Sequence, residues 1–193
     1  KAIMEGKQTV LLAMATGTGK TRTVLGMIYR FLKTNRFKRI LFLVDRTALG
    51  DQATDVFKEV KLEDLMTLDE IYNIKGLTDK SIDKETRIQV ATVQSMVKRI
   101  LYNDGVAMPA VTDYDLVIID EAHRIGAKSY QEIMDYFKPK FWLGMSASPE
   151  RTDDFDVYAA FDHNIAYEIR LQQALEENLL CPFHYFGITD FLT

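Results

Sequence analysis

The sequence contains a single cysteine, Cys181, among its 193 residues. No disulfide can form within the chain, which favours a reducing compartment, and we therefore expect a cytoplasmic protein. A zinc site is not expected, because Cys181, His163 and His184 lack the paired spacing of zinc ligands. Long apolar runs are missing too: none approaches the roughly 20 residues of a membrane-spanning helix, and no signal-peptide pattern is present. We expect no membrane partner.

An excess of basic charge is also absent. The chain has 24 Lys and Arg against 28 Asp and Glu, a formal net charge of −4, so it lacks the overall basic footprint of a nucleic-acid-binding domain. Any contact with nucleic acid would have to be local, made by backbone amides, hydroxyls and a few basic groups. No internal repeat or low-complexity segment is evident.

Length and pattern together predict an α/β fold. A chain of this size is about one domain long, enough to bury roughly 70% of its unfolded surface. Apolar, strand-like runs alternate with helix-like stretches, which favours a mostly parallel, doubly wound sheet with helices on both faces. The predicted strands are residues 9–14, 39–44, 87–93, 114–119 and 141–145, and helices are expected from Lys20, over 52–58 and over 94–101. We expect the charged stretch 64–85 to be a surface excursion with one short helix.

The segment Ala15–Thr21 has the composition of a phosphate-binding loop. It lies between a strand-like run and a predicted helix, which is the context such a loop needs. Two glycines let successive backbone N–H groups point at phosphate oxygens, helped by the positive end of the helix. Lys20 would reach the β- and γ-phosphates of ATP, and the Thr21 hydroxyl would ligate Mg²⁺. The predicted ATP-binding residues are Thr16, Gly17, Thr18, Gly19, Lys20 and Thr21.

Two adjacent carboxylates follow another apolar run about a hundred residues later. In a parallel sheet, ligands lie beyond the carboxyl ends of the strands, so Asp120 and Glu121 would emerge on the same rim as the loop. Asp120 would hold Mg²⁺ through water, and Glu121 would orient and deprotonate the water that attacks the γ-phosphate. We assign the catalytic roles to Lys20, Asp120 and Glu121. Taken alone, an acidic pair after a strand is also typical of a helix N-cap.

These two motifs resemble those of superfamily 2 helicases and translocases. The loop fits their pattern Ala-x-x-Gly-x-Gly-Lys-Thr, with Met14 where the more common phosphate loop has its first glycine. Asp120-Glu121-Ala122-His123 matches their DEAH box. The resemblance implies a RecA-like P-loop NTPase domain that binds ATP with Mg²⁺.

Two further segments fall where that family has nucleic-acid contacts. Residues 43–52 resemble motif Ia, which touches the sugar-phosphate backbone, and residues 90–96 resemble a Thr-x-Gln-Ser segment that holds another phosphate. The nucleic-acid-binding residues so implied are Arg46, Thr47, Thr92, Gln94 and Ser95. Both segments have a plainer interpretation. Asp45 or Thr47 would cap the next helix, and residues 92–95 would be an ordinary helix N-terminus.

Residues 143–149 resemble motif III of the same family, which links the nucleotide site to the nucleic-acid groove. The family more often has Ser-Ala-Thr or Thr-Ala-Thr here. Ser148 keeps the hydroxyl of the usual threonine and lacks its methyl group. The resemblance implies coupling roles for His123, Ser146 and Ser148.

Together the five segments most resemble the first RecA-like domain of restriction-type motors, the ResIII branch of superfamily 2. The resemblance implies that residues 1–193 form a single RecA-like ATP-binding domain, the N-terminal motor domain of a longer helicase or translocase. The start at Lys1, without an initiator methionine, also predicts a segment of a longer protein. The implied partners are DNA, bound through its phosphates, and a second RecA-like domain of the longer chain.

In this family the second domain supplies an arginine finger, and an element upstream of the phosphate loop reads the adenine. We expect neither within these 193 residues. This segment alone should therefore bind Mg-ATP weakly and with limited base selectivity. Its hydrolysis should be slowed by about 10³- to 10⁵-fold without the finger.

A second interpretation stays open at this point. The chain would be a nucleotide-binding regulatory or interaction module that kept the fold and lost motor activity, since fold does not fix function. Intact Lys20, Thr21, Asp120 and Glu121 argue against it, because a domain that no longer hydrolyses ATP has no physical need for the acid pair.

Overall fold

Strands and helices alternate along the chain. The computed structural model describes residues 2–79, 81–102, 108–150 and 155–180. Cys181 and His184 lie outside these residues. The described strands are β1 (Thr9–Met14), β2 (Ile40–Val44), β3 (Asn73–Lys75), β4 (Thr86–Thr92), β5 (Leu116–Ile119), β6 (Phe141–Ser146) and β7 (Ile165–Ile169). The described helices are α1 (Lys20–Lys33), α2 (Thr47–Glu59), α3 (Leu68–Ile71), α4 (Val93–Leu101), α5 (Lys128–Tyr136), α6 (Val157–Ala160) and α7 (Leu171–Glu176), with 3-10 turns at Glu63–Leu65 and Ala122–Arg124.

The strands form one sheet in the order β3-β4-β2-β5-β6-β1-β7. Every pairing between neighbouring described strands is parallel. Parallel neighbours need crossover connections. Helices supply most of them here, whereas residues 76–85, which join β3 to β4, contain no described helix. The predicted α/β architecture with a doubly wound parallel sheet is confirmed.

Burial on both faces explains why the central strands read as continuous apolar runs. On β2, Ile40, Phe42 and Val44 pack into a cluster with α1 and α2. The intervening Leu41 and Leu43 pack on the other face with α4 and α5. Successive side chains of a strand point to opposite faces, so a strand covered on both sides must be apolar at every position.

Two strands were missed by the sequence analysis. Residues 73–75 were predicted to belong to a surface excursion, but they form β3, which pairs with β4 at one edge of the sheet. At the other edge β7 pairs with β1, and its first three residues are exposed. Short, half-exposed edge strands lack the apolar run that marked the central ones. The second helix also begins earlier than predicted, at Thr47 and not at Gln52.

The carboxyl ends of the strands meet along one rim of the sheet, because all of them run in the same direction. The residues at this rim are Ala15 after β1, Asp45 after β2, Thr92 at the end of β4, Asp120 after β5 and Ser146 at the end of β6. No helix in the described part of the chain is long and apolar enough to cross a membrane.

Replacing Gly144 by Ala should destabilise the domain. Gly144 lies on β6, and an added Cβ would clash with Cζ of the fully buried Phe161. The ring has to move, and overpacking of this kind costs about 1–3 kcal/mol. Gly26→Ala is the matched control. Gly26 lies inside α1, and apart from its chain neighbours and the backbone of its own helix, no described residue has an atom within 4 Å of the added Cβ. This change should stabilise the domain by roughly 0.5–1 kcal/mol. Urea unfolding measures both, and a tolerated Gly144→Ala would contradict this packing.

Candidate active site

The loop between β1 and α1 has the backbone that a phosphate-binding loop requires. Gly17 and Gly19 have φ values of +83° and +88°, a left-handed region that side chains disfavour. Thr18 closes the turn, since its backbone N–H and its hydroxyl both donate to the Ala15 carbonyl, at 3.2 and 2.7 Å. Ala15 is tied in turn to β7 by a hydrogen bond from its N–H to the Ile169 carbonyl, at 3.0 Å. We call residues 15–19 the glycine loop.

The first turn of α1 continues the glycine loop. Gly19 is the N-cap and provides no side-chain cap, and the first turn holds no acidic residue. The N–H groups at this helix end therefore keep their positive potential for a ligand. Lys20 and Thr21, the first two residues of the helix, are both half-buried.

The second part of the site is a tight turn after β5, residues 120–124, which we call the acidic turn. The Asp120 N–H donates to the Leu43 carbonyl at 2.9 Å and so extends the β2–β5 ladder by one residue. Glu121 then adopts a left-handed conformation, with φ +58° and ψ +48°, as the N-cap of the 3-10 turn. For a residue with a side chain this backbone costs roughly 1–2 kcal/mol. Fully buried Ala122 anchors the turn.

The turn brings Glu121 to the glycine loop. One carboxylate oxygen, Oε1, lies 3.6 Å from Lys20 Nζ, and the other, Oε2, lies 3.2 Å from His123 Nδ1. The same His123 nitrogen lies 3.3 Å from the hydroxyl of fully buried Ser146 at the end of β6. The Ser148 N–H donates to that hydroxyl at 3.2 Å. The structure thus brings together Lys20, Glu121, His123 and Ser146, while Ser148 joins through its backbone.

The surroundings of the Asp120 carboxyl oppose its ionisation. Burial raises the pKa of its carboxyl to about 6, the negative charge of Glu121 adds to that shift, and Lys20 opposes it. A divalent cation would relieve both causes. Within the described residues no group of three or more His, Cys, Asp or Glu could hold a metal. The roles of Thr21 and Asp120 as Mg²⁺ ligands therefore stay predictions, in which water and phosphate oxygens would supply the other ligands.

The predicted nucleic-acid contacts lie beyond the ends of β2 and β4, which pair as neighbours with Val44 opposite Thr92. Arg46, Thr47 and Gln94 are exposed, and Thr92 and Ser95 are half-buried. The Thr92 hydroxyl accepts a hydrogen bond from the Ser95 N–H at 3.1 Å and caps α4. Its contact with nucleic acid stays a prediction, as do those of the other four residues. We call this group of five the rim patch.

The alternative interpretation of residues 43–52, in which Asp45 or Thr47 caps the next helix, is wrong. The N-cap of α2 is Arg46, and no side chain caps that helix by a hydrogen bond. Asp45 instead lies 8% exposed in a cluster of polar groups. Its Oδ2 is 2.9 Å from Arg124 Nη1 and 3.5 Å from Arg46 Nε, and its Oδ1 accepts from the Tyr130 hydroxyl at 3.4 Å. Nothing in the sequence pattern pairs Asp45 with a residue so distant along the chain.

Known proteins resemble this chain in sequence and in fold. The sequence profile of the family described as "Type III restriction enzyme, res subunit" matches residues 1–151. The EcoKI type I restriction endonuclease subunit of Escherichia coli K12 is 55% identical over 124 residues, which are 64% of this chain and 10% of that protein. The EcoAI subunit of Escherichia coli is 32% identical over 186 residues, 95% of this chain and 22% of that protein.

Among solved structures, the helicase domain of Pyrococcus furiosus Hef superposes with a TM-score of 0.63 at 22% identity. The match covers 84% of this chain and 35% of that one. The fold is therefore the RecA-like fold of helicase motor domains. This chain spans only about a tenth to a fifth of the length of the two curated relatives.

Asp120→Asn should stabilise the metal-free domain at pH 7.5. The native carboxyl has its pKa raised from 3.8 to about 6, so the folded state holds the proton more tightly and loses stability as the pH rises through 6. The amide avoids that loss. The expected gain is roughly 1–3 kcal/mol above pH 6 and disappears near pH 4, since each pKa unit corresponds to about 1.4 kcal/mol. Thermal unfolding in EDTA across this range measures it, and a gain that does not depend on pH would contradict the assignment.

Proposed function

Because this chain belongs to the family of type III restriction enzyme res subunits, we propose that it is the ATP-hydrolysing half of a DNA translocase. The observation that carries the proposal is the ion pair between Lys20 and Glu121, at 3.6 Å. It joins a glycine loop to an acidic turn about a hundred residues away. A helicase or translocase type of motor domain already follows from the relatives. ATP hydrolysis and the choice of DNA are what the proposal adds.

ATP would lie along the glycine loop and the first turn of α1. The residues proposed to hold it are Thr16, Gly17, Thr18, Gly19, Lys20 and Thr21. Lys20 supplies the positive charge opposite the β- and γ-phosphates, and the N–H groups of the loop complete the cradle. Thr21 and Asp120 would hold Mg²⁺, which neutralises phosphate charge during transfer. The raised pKa of Asp120 supports this role, because a carboxylate that resists ionisation in isolation gains most from a cation.

We propose Glu121 as the general base. Its carboxylate contacts Lys20 on one side and His123 on the other, so both neighbours orient it. When phosphate oxygens take over the charge of Lys20, Glu121 can accept a proton from the attacking water. The contact of His123 with Ser146 would pass the state of this site to β6. Ser148 would extend that relay through its bond to Ser146.

Nucleic acid would bind at the rim patch, beside the nucleotide site. The overall charge of −4 disfavours a large basic interface, so the contacts must be few. Arg46 has a 71% exposed side chain that can reach a phosphate, and exposed Gln94 lies in the first turn of α4. Backbone N–H groups at a helix N-terminus also bind phosphate. DNA is the proposed polymer because the relatives of highest identity named above are restriction enzyme subunits.

A longer protein is the proposed context of this domain. Its relatives are about four to ten times longer than the matched part. We propose that a second RecA-like domain supplies the arginine finger for hydrolysis. The alternative, a regulatory module that does not hydrolyse ATP, is disfavoured by two features that do not benefit the fold. Burial opposes ionisation of the Asp120 carboxyl and raises its pKa, and Glu121 has a left-handed backbone.

Lys20→Ala and Glu121→Gln should separate binding from hydrolysis in the full-length protein. Lys20→Ala removes the cation opposite the phosphates, so we expect loss of Mg-ATP binding with an unchanged fold. Glu121→Gln should keep the affinity and abolish turnover, because an amide cannot take a proton from water. Lys33→Ala, at the other end of α1, is the control and should change neither. Calorimetry and phosphate release measure these effects.

The two variants also bring the proposal into question in different ways. Unchanged nucleotide affinity in Lys20→Ala would end the assignment of the glycine loop. Equal loss of affinity and turnover in Glu121→Gln would make Glu121 a direct metal ligand or a structural residue.

Arg46→Gln should weaken DNA binding by the full-length protein without changing its sequence preference. Contacts to phosphate release counterions, so affinity should fall linearly with the logarithm of salt concentration, and loss of one contact should lower that slope by about 1. Lys58→Gln, which removes an exposed charge at the far end of α2, is the control and should leave the slope unchanged. Fluorescence anisotropy with duplexes of several sequences measures both. Strong sequence preference would argue against phosphate contacts.

A further inference from the structure

Asp45 is a buried carboxylate that two arginines share. Its side chain is 8% exposed, so its charge needs partners close by. Arg124 Nη1 at 2.9 Å is within hydrogen-bonding distance, whereas Arg46 Nε is farther away at 3.5 Å. The Tyr130 hydroxyl gives a third contact at 3.4 Å. Arg124 is thus the principal counterion of Asp45, and Arg46 is an auxiliary one.

The two arginines belong to different parts of the candidate site. Arg46 belongs to the rim patch, and 71% of its side chain is exposed to solvent. Arg124 closes the acidic turn, and its backbone N–H donates to the Glu121 carbonyl at 3.0 Å. A displacement of the Arg124 side chain therefore acts on the backbone that holds Glu121. Asp45 contacts both arginines and so connects the rim patch to the acidic turn.

We propose that Arg124 is a positioning residue that couples nucleic-acid binding at the rim patch to the acidic turn through Asp45. The role rests on the proposed function, since it needs ATP at one end and a nucleic acid at the other. With the rim patch empty, Asp45 shares its charge between Arg46 and Arg124. A phosphate at the rim patch draws Arg46 away, and Asp45 then depends on Arg124 and Tyr130. The acidic turn is held more firmly to β2 in that state, and Glu121 with it.

The proposed exchange gives two states with different contacts, which coupling between sites requires. The firmer hold on Glu121 in the second state sets the expected sign of the effect. DNA should favour the arrangement of the acidic turn that accepts nucleotide, and by reciprocity nucleotide should tighten DNA binding by the same factor.

The test is the coupling factor in the full-length protein. The affinity for a mixed-sequence DNA duplex is measured with and without a non-hydrolysable ATP analogue and Mg²⁺, and the ratio of the two is the factor. We expect about 5- to 150-fold for the unaltered protein. Arg124→Gln should bring the ratio to one and remove the stimulation of kcat by DNA. Arg124→Lys keeps the charge beside Asp45 and should restore part of the coupling.

The matched control is Lys128→Gln. Lys128 lies four positions after Arg124, with a 92% exposed side chain, so its loss removes the same charge from the same neighbourhood without touching Asp45. It should keep the coupling factor of the unaltered protein. Asp45→Asn should abolish coupling as Arg124→Gln does, and the double variant should couple no worse than either single one, because both variants remove the Asp45–Arg124 ion pair.

The outcomes are distinguishable. Coupling that survives in Arg124→Gln overturns the positioning role and leaves the proposed function intact. Equal loss of coupling in Arg124→Gln, Arg124→Lys and Lys128→Gln, with lowered melting temperatures, also overturns it, since the ion pair would then only hold the fold. A full-length protein that binds no ATP, or whose ATP turnover ignores DNA, overturns the proposed function and this role together.

Discussion

Burial of the parallel sheet on both faces leaves polar side chains few places to lie. Along β2 every residue is buried, on one face against α1 and α2 and on the other against α4 and α5. Polar groups that must stay near this core therefore collect where the strands end. Since the strands are parallel, they end on the same side. The glycine loop, the acidic turn and the rim patch share one rim for this reason, although the chain between them is long.

The charges at that rim are balanced differently at two places. Asp45 has a close arginine and a tyrosine hydroxyl, and such a satisfied carboxylate is compatible with a stable fold. Asp120 is compensated only in part: burial and the charge of Glu121 raise the pKa of its carboxyl, and Lys20 and a hydrogen bond from the backbone of Glu121 do not offset them fully. A carboxylate kept under strain beside a left-handed residue is typical of a site that is selected for binding and not for stability. The raised pKa of Asp120 and the left-handed backbone of Glu121 therefore indicate the same site as the sequence motifs do.

The sequence predicts a structural feature when the residues that determine it lie within one short segment. The glycine loop could be predicted because Gly17, Gly19 and Lys20 are neighbours in sequence and the left-handed φ values belong to glycine. The central strands were predictable from apolar runs. Edge strand β3 was not predictable from its own composition, because it is a strand only through its pairing with β4. The ion pair of Asp45 with Arg124 joins residues from two different strand ends, and no periodicity of one segment contains it.

The acidic turn is the point where these contacts converge. Glu121 has a backbone conformation that is unfavourable in isolation, so its neighbours must hold it there. On one side His123 reaches Ser146 and β6, and on the other Arg124 reaches Asp45 and β2. These two strands flank β5 in the sheet. A shift at either flank is therefore transmitted to the same strained residue, and a turn held only by local bonds would lack that sensitivity. The proposed coupling therefore depends on the position of β5 between β2 and β6 as much as on the residues of the glycine loop.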